Sequence, residues 1–186
     1  MAFHVTPTAI PDVLHIIPDS YGDERGFFME WYKQSEFEKM SIKGPVVQES
    51  MSYAKHGIIR GLHFQKSPFA QGKLVRVLQG KVLDVAVDIR SGSPWYGKSV
   101  AYELSAENKH MLWIPIGFAH GLEILEEGLF QYMIFGGEYN KESEGGLRYN
   151  DPILQIPWQT SSPQVNERDA NYPLLADLVT PFIYNQ

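Results

Sequence analysis

The chain has 186 residues, of which 44% are hydrophobic and 20% charged, and these fractions are typical of a globular protein rather than a disordered one. Its 16 Lys and Arg residues against 22 Asp and Glu residues give a net charge of −6, which does not fit a nucleic-acid-binding protein. The absence of cysteine excludes disulfide scaffolds, thiolate zinc sites, iron–sulfur clusters and cysteine nucleophiles.

Short strand-like segments separated by turns that contain Gly and Pro dominate the chain. In chain order, we predict a short helix at 35–40 capped by Ser35, strands at 73–77, 82–89, 98–104, 110–114 and 130–135, and a second short helix at 173–178. Many short strands with few helices are typical of an antiparallel sandwich or barrel. The sequence therefore predicts an all-β protein, with one domain spanning residues 1–186.

No apolar run reaches the roughly 18 residues that a membrane span needs, and residues 1–12 lack the pattern of a signal peptide. We therefore expect a cytoplasmic protein.

The predicted strand at 82–89 is unusual because carboxylates share one of its faces with an alanine. Val85, Val87 and Ile89 alternate with a second set of side chains that comprises Asp84, Ala86 and Asp88. This second face is either a solvent-facing edge or the polar interior of a barrel.

Two histidines lie in informative contexts. Pro115-x-Gly117-x-x-His120 has the spacing of the second cupin motif, whereas the place of the first motif offers only His63-Phe64-Gln65 instead of a His-x-His pair. His63 and His120 are too few ligands for a metal site unless Asp84 is recruited, so we predict no metal.

A histidine can instead act as an acid–base group without a metal, because its pKa lies near neutrality. Such chemistry needs a carboxylate to orient the imidazole, a cation to stabilise an enolate and a phenol to protonate the opposite face. The candidates for these roles are Asp169 or Asp84, Lys73 or Arg60, and Tyr132, respectively.

Several segments together resemble the dTDP-4-dehydrorhamnose 3,5-epimerase family of nucleotide-sugar epimerases. They are Asp23-Glu24-Arg25-Gly26-Phe27-Phe28, Arg60-Gly61-Leu62-His63-Phe64-Gln65, Gln71-Gly72-Lys73-Leu74-Val75-Arg76-Val77, Asp84-Val85-Ala86-Val87-Asp88-Ile89-Arg90 and Trp113-Ile114-Pro115-x-Gly117-Phe118-Ala119-His120-Gly121. The resemblance implies a cupin-type jelly-roll barrel of antiparallel strands with a few short helices, a homodimer, and a reaction without metal or other cofactor.

The resemblance also implies roles for individual residues. His63 matches the general base, Asp169 its carboxylate partner, Lys73 the cation that holds the enolate oxygen, and Tyr132 the acid on the opposite face. Contacts to the nucleotide-diphosphate 4-keto-6-deoxy sugar are expected from Arg25, Glu30, Gln48, Ser50, Arg60, His120, Glu144 and Arg168. Asp84 and Tyr139 are expected to support the site from behind these residues.

The chain departs from the family pattern near the expected acid and sugar. Ser50 stands where the family commonly has Asn, Leu122 where it usually has Phe, and the segment after Tyr132 with Gly136-Gly137 is one residue longer. Inversion at C3 and C5 is the leading hypothesis. The alternatives are a C3-only epimerase, a metal-dependent cupin oxygenase or isomerase, and a sugar-nucleotide binding module without catalysis.

Overall fold

The computed structural model describes residues 2–184, and antiparallel strands dominate it. The strands are β1 Phe3–Pro7, β2 Leu14–Pro18, β3 Ser20–Asp23, β4 Gly26–Met29, β5 Val46–Ala54, β6 Ile59–Gln65, β7 Gln71–Asp88, β8 Ser99–Ser105, β9 Met111–Ile114, β10 Phe118–Gly136 and β11 Glu144–Gly146. The helices are α1 Gln34–Lys39 and α2 Glu167–Ala170, with 3-10 turns at Lys141–Ser143 and Leu175–Asp177. The all-β prediction is confirmed. Residues 1, 185 and 186 of the predicted domain lie outside the described part.

Two long strands organise the main sheet, because each changes its neighbour along its length. β7 pairs with β9 through residues 73–76 and with β8 through residues 81–87. β10 pairs with β6 near its start and with β5 through residues 128–135, while it runs beside β7 for nearly its whole length. The two strands predicted at 73–77 and 82–89 are therefore one continuous strand.

Both faces of the strands are covered by apolar side chains, which explains the unusual strand at 82–89. On one face, Ala86 packs in a core cluster with Val75, Leu122 and Phe130. On the other face, Val85 belongs to a second cluster that residues of the C-terminal segment cover. Burial on two faces makes a strand almost continuously apolar instead of alternating.

The carboxylates of that strand point into the protein. Asp84 and Asp88 are both fully buried, so the solvent-facing alternative is wrong and the interior alternative is confirmed. Asp88 is compensated by the Arg90 guanidinium at 2.6 Å and by the Ser93 hydroxyl at 2.7 Å. Asp84 pairs with His120.

The two predicted helices differ from the structure in the cap of the first and the length of the second. Ser35 lies inside α1, whose N-cap is Lys33 without a side-chain capping bond, so the predicted Ser35 cap is wrong. The helix predicted at 173–178 is reduced to the 3-10 turn at Leu175–Asp177. Within residues 2–184, none of the helices has the length and apolar character that crossing a bilayer requires.

β3 and β4 form a separate two-stranded hairpin. Its Phe27 and Phe28 side chains are 62% and 63% exposed, which is unusual for large apolar side chains. Arg25 lies in the turn of this hairpin and pairs with Asp23 at 2.6 Å.

A histidine pair lies between β2 and the start of β9, with His15 buried and His110 partly buried. The His15 Nε2 atom lies 3.0 Å from the His110 Nδ1 atom, and the His15 ring stacks on Tyr102. Burial lowers the pKa of both imidazoles, and the proximity of His110 lowers that of His15 further. A hydrogen bond between two imidazoles needs one of them as acceptor, so it is lost when both are protonated.

We therefore expect the His15–His110 pair to destabilise the fold in mild acid. The unfolded chain binds protons at the ordinary histidine pKa and the folded pair only at lower pH, so the stability that the pair contributes is lost as pH falls through its lowered pKa values. When the pH falls from about 7.5 to about 5.5, the unfolding free energy should decrease in both proteins. The decrease should be roughly 0.5–1 kcal/mol smaller in His110→Asn than in the wild type. Urea unfolding at the two pH values measures this, with His56→Asn at an exposed position as control. An unchanged pH dependence in His110→Asn would contradict the expectation.

Candidate active site

A cavity of about 280 Å³ opens between β5, β6, β7 and β10. The polar groups that line it are a carboxylate, two imidazoles, a lysine, an arginine, two phenols and several amides and hydroxyls. The lining comprises Gln48, Ser50, Met51, Ser52, Arg60, His63, Phe64, Gln65, Gln71, Lys73, His120, Leu122, Tyr132, Ile134, Tyr139 and Glu144. The sequence-predicted base, cation and acid therefore share one cavity.

His63 on β6 is held by a fully buried carboxylate from α2. Its Nε2 atom lies 2.9 Å from Oδ1 of Asp169, whose Oδ2 accepts the Gly61 backbone N–H at 2.9 Å. Burial acts to raise the pKa of the Asp169 carboxyl, but the hydrogen bonds from His63 and Gly61 outweigh it, and the pKa is lowered. An ionised carboxylate accepts a hydrogen bond from the Nε2–H group, which leaves Nδ1 of His63 as the atom that can take a proton.

The local sequence around Asp169 explains its position. Asn166 is the N-cap of α2, and its side chain accepts the Asp169 backbone N–H at 2.7 Å. An Asn at an N-cap fixes the first turn of a helix. This one-turn helix therefore fixes Asp169 behind the imidazole.

Gly61 allows β6 to approach β10 closely beside His63. Its φ is +112°, and a Cβ at this position would lie 2.6 Å from the His120 carbonyl oxygen and 2.6 Å from the Gly121 Cα. The small residue thus makes room for another backbone, and this close approach sets His63 and His120 opposite each other on neighbouring strands.

His120, which lines the same cavity, forms a second imidazole–carboxylate pair. The buried His120 Nε2 atom is 2.7 Å from Oδ1 of fully buried Asp84. Burial lowers the pKa of His120, although Asp84 opposes this effect, and Lys73 and His63 lower the pKa further. His120 is therefore kept neutral at a pH at which an exposed histidine would begin to charge.

Lys73 and Tyr132 add a cation and a phenol to the cavity. Burial lowers the pKa of Lys73 to about 8, against the opposing effect of Asp84 and Glu144. Burial, reinforced by Asp84, raises the pKa of Tyr132, so its phenol stays protonated. The Tyr132 ring meets the His120 ring edge-on with centroids 5.9 Å apart.

A chain of polar contacts connects the rim of the cavity to the His63 pair. The Tyr139 hydroxyl donates to Glu144 Oε2 at 3.0 Å, and the same oxygen lies 2.9 Å from Arg168 Nη1. Arg168 Nε is 3.4 Å from Asp169 Oδ1. Arg168 therefore lies between the carboxylates of Glu144 and Asp169, outside the cavity lining but beside the His63–Asp169 pair.

The structure brings together most of the predicted site residues but not all of them. Glu30 and Arg25 do not line this cavity, and the Arg25 side chain is 85% exposed on the β3–β4 hairpin. Asp84 lies behind His120 as expected, whereas Tyr139 lines the cavity directly. Among residues 2–184, no three His, Cys, Asp or Glu side chains are grouped closely enough to hold a metal ion.

Sequence reasoning missed some residues of the cavity. Ser52 lines it beside Gln48 and Ser50, and the period-two alternation of β5 could have placed all three on one face. Tyr172, whose ring packs edge-on against His63 at 5.8 Å, comes from a loop, and no sequence periodicity marks it.

Comparison with known proteins agrees with this geometry. The family model described as dTDP-4-dehydrorhamnose 3,5-epimerase matches residues 7–177. The chain belongs to the dTDP-4-dehydrorhamnose 3,5-epimerase family. A member from Salmonella typhimurium is 49% identical over 173 residues, which cover 92% of this chain and 94% of that protein. The cupin-type fold predicted from the resemblance is confirmed.

Two further relatives of this epimerase family are informative. The crystal structure of dTDP-6-deoxy-D-glucose-3,5-epimerase from Legionella pneumophila, in complex with dTDP-4-keto-L-rhamnose, has a TM-score of 0.94 and 41% identity, and the match covers 99% of this chain and 100% of that chain. A dTDP-4-dehydrorhamnose 3-epimerase from Streptomyces niveus is 33% identical over 92% of this chain and 83% of that protein. The wider family thus includes enzymes named for one carbon as well as for two.

Gly61→Ala should destabilise this epimerase-family fold strongly, because the new Cβ would collide with backbone atoms of β10. We expect a loss of about 3 kcal/mol or more in unfolding free energy. Gly57→Ala is a matched control, because Gly57 also has a positive φ of +80° but has no neighbouring atom within 4 Å of the added Cβ. The control should lose only about 1–2 kcal/mol. Equal losses in the two variants, measured by urea unfolding, would contradict the proposed close approach.

Proposed function

We propose that this chain is an epimerase that inverts C3 and C5 of dTDP-4-dehydro-6-deoxy-D-glucose to give dTDP-4-dehydro-L-rhamnose. The observation that carries the proposal is that His63, whose imidazole contacts Asp169, lines one cavity with Lys73 and Tyr132. Family membership gives the same reaction class.

His63 is the proposed general base. The ketone at C4 acidifies the hydrogens on C3 and C5, and Nδ1 of His63 can accept one of them while Nε2 keeps its hydrogen bond to Asp169. The Asp169 carboxylate stabilises the imidazolium that forms. Because the pair is already in contact, no rearrangement is needed before proton transfer.

Lys73 is the proposed cation for the enolate oxygen. Removal of the proton moves an electron pair onto the C4 oxygen, and a donor held in place for that charge can contribute about 3 kcal/mol. Nearby Asp84 and Glu144 favour the charged form of Lys73 against its burial. The charged lysine is therefore available below about pH 8.

Tyr132 is the proposed acid. A phenol with a raised pKa stays protonated and can give its proton to the face of the carbon opposite His63, while the enolate C=C electron pair forms the new C–H bond. One proton has then left the carbon to His63 and one has come from Tyr132. Exchange with water restores both groups before the second carbon reacts.

The remaining lining residues suit a nucleotide-linked sugar. Arg60 is the lining guanidinium, and its planar fork matches the oxygens of a diphosphate. Gln48, Ser50, His120 and Glu144 offer donors and acceptors for sugar hydroxyls. We propose that these residues bind the substrate and that Arg168 acts beside them through Glu144 and Asp169.

Inversion at C3 alone is a second candidate function. The similarity to a 3-epimerase favours it, as do Ser50 and the Gly136-Gly137 segment at the cavity. Both enzymes would use the same base, so the positions of exchanged hydrogen distinguish them.

The β3–β4 hairpin supports a homodimer. Its exposed Phe27 and Phe28 side chains and the distance of Arg25 from the cavity lining are explained if the hairpin serves the nucleotide end of a second copy's site. We propose this assembly, with residues 1–186 as one domain and a cytoplasmic location where nucleotide sugars are made.

Incubation with dTDP-4-dehydro-6-deoxy-D-glucose in deuterated water should place deuterium at C3 and at C5, as read by NMR. His63→Ala should abolish incorporation. Tyr132→Phe should slow product formation more than exchange, because the proposed base His63 remains in this variant. His56→Ala, at an exposed position, is the matched control. Deuterium at C3 alone would establish the second candidate, and wild-type protein without exchange at either carbon would refute both.

The pH dependence of kcat/KM should report Lys73. Its ammonium is charged below a pKa of about 8, so kcat/KM should fall as pH rises through this value. Lys73→Arg should keep its charge and move this alkaline limb upward, and Lys73→Met should lose about 100-fold in kcat. An alkaline limb that Lys73→Arg leaves in place would assign it to another group.

A further inference from the structure

The segment 137–140 crosses the rim of the cavity immediately after β10, and a glycine pair lets it lie flat against the backbone of residues 69–70. A Cβ on Gly136 would lie 2.6 Å from the Ala70 carbonyl oxygen, and a Cβ on Gly137 would lie 2.4 Å from the Phe69 Cα. The Gly137 N–H donates to that Ala70 oxygen at 3.0 Å. These contacts explain why residues 136 and 137 are glycines.

Gln65, at the end of β6, is the main polar anchor of this segment. Its Nε2 donates to the Glu138 and Phe69 carbonyl oxygens, each at 3.1 Å, and its Oε1 accepts the Asn140 N–H at 2.8 Å. The side chain is only 4% exposed and uses both N–H donors and its oxygen. A buried amide with every group satisfied fixes backbone geometry strongly.

Two further glutamines, from different strands, bind the remaining positions of the segment. Gln71 of β7 donates from Nε2 to the Gly137 carbonyl oxygen at 2.9 Å. Gln48 of β5 accepts the Tyr139 N–H at 2.9 Å. Each of the four consecutive residues 137–140 thus has a backbone group bound by a glutamine side chain from the cavity wall.

The bound segment carries Tyr139. Its ring lines the cavity, and its hydroxyl donates to Glu144, which pairs with Arg168 next to Asp169. Tyr139 is 54% exposed, so packing of its ring alone does not fix its place. The contact of its hydroxyl with Glu144 and the backbone to which the ring is attached must do so together.

We propose that Gln48, Gln65 and Gln71 form a clamp on residues 137–140, and that Gln65 is a positioning residue that holds the Tyr139 phenol at the mouth of the cavity for substrate binding. The binding part of this inference rests on the proposed function. The clamp itself is a property of the fold and can be tested without substrate.

Limited proteolysis tests the clamp. Lys141 follows the clamped segment directly, and release of that segment should expose the peptide bond after it to trypsin. Gln65→Met, which keeps the size of the side chain, should raise the rate of cleavage after Lys141 about tenfold or more, as followed by mass spectrometry of the fragment 1–141. Gln79→Met, at an exposed position of β7, is the matched control. Equal cleavage in Gln65→Met and wild type would overturn the clamp.

A double-mutant cycle tests whether Gln65 acts through Tyr139. Gln65→Met and Tyr139→Ala should each raise KM about tenfold with a smaller change in kcat, because His63 and Asp169 keep their contact. The double variant should resemble Tyr139→Ala alone. Losses that multiply to about 100-fold would show independent effects and overturn the positioning role.

A variant that fails to fold does not remove the test. Gln71→Met deletes only the hydrogen bond to Gly137 and should give a smaller increase in cleavage after Lys141, and wild-type cleavage in this folded variant would count against the clamp. Wild-type protein that exchanges no deuterium would refute the proposed function. Proteolysis would still decide the clamp separately.

Discussion

Asp169 is a buried carboxylate whose charge must be compensated by its neighbours, because the protein interior does not solvate an ion as water does. The His63 imidazole, the Gly61 N–H and the Arg168 guanidinium supply that compensation at 2.9, 2.9 and 3.4 Å. The same contacts fix the tautomer and orientation of the His63 imidazole, the proposed base. Charge compensation in the core and activation of the imidazole are therefore one arrangement, and the close approach of β6 to β10 at Gly61 is its geometric condition.

The long strand β10 supplies two further polar side chains of the cavity, His120 and Tyr132. Its first part sets His120 beside His63, and its second part, paired with β5, presents Tyr132 to the same cavity. Because β10 changes partners along its length, His120 beside the proposed base and Tyr132, the proposed acid, lie on a single strand. Burial then separates the roles: the Lys73 pKa is lowered, while the Tyr132 pKa is raised.

Of the four strands around the cavity, parts of β7 and β10 were predicted from alternation and turn residues, whereas β5 and β6 were not among the predicted strands. The continuity of the long strands was not predicted either. The strand predicted at 82–89 is the second half of β7, whose two halves pair with different neighbours. The sequence did not predict this continuity, because nothing local marks that Gly80 lies within a strand. The helix at 35–40 was predictable, whereas its cap was not, since the N-cap is Lys33, two residues before Ser35. The interior position of Asp84 also depended on layers that cover both faces.

The sequence by itself determined the all-β class, the absence of cysteine chemistry and, through the segments around His63 and His120, the family resemblance, because these depend on residue type and short-range spacing. From the residues alone, both Asp169 and Asp84 were candidates to orient an imidazole, and the resemblance pointed to Asp169 for His63; the tertiary structure shows that contact and assigns Asp84 to His120. It also decided that Tyr139 lies at the rim rather than behind the site. Such pairings join residues up to 106 positions apart, and a chain specifies them only when its strands are packed against each other.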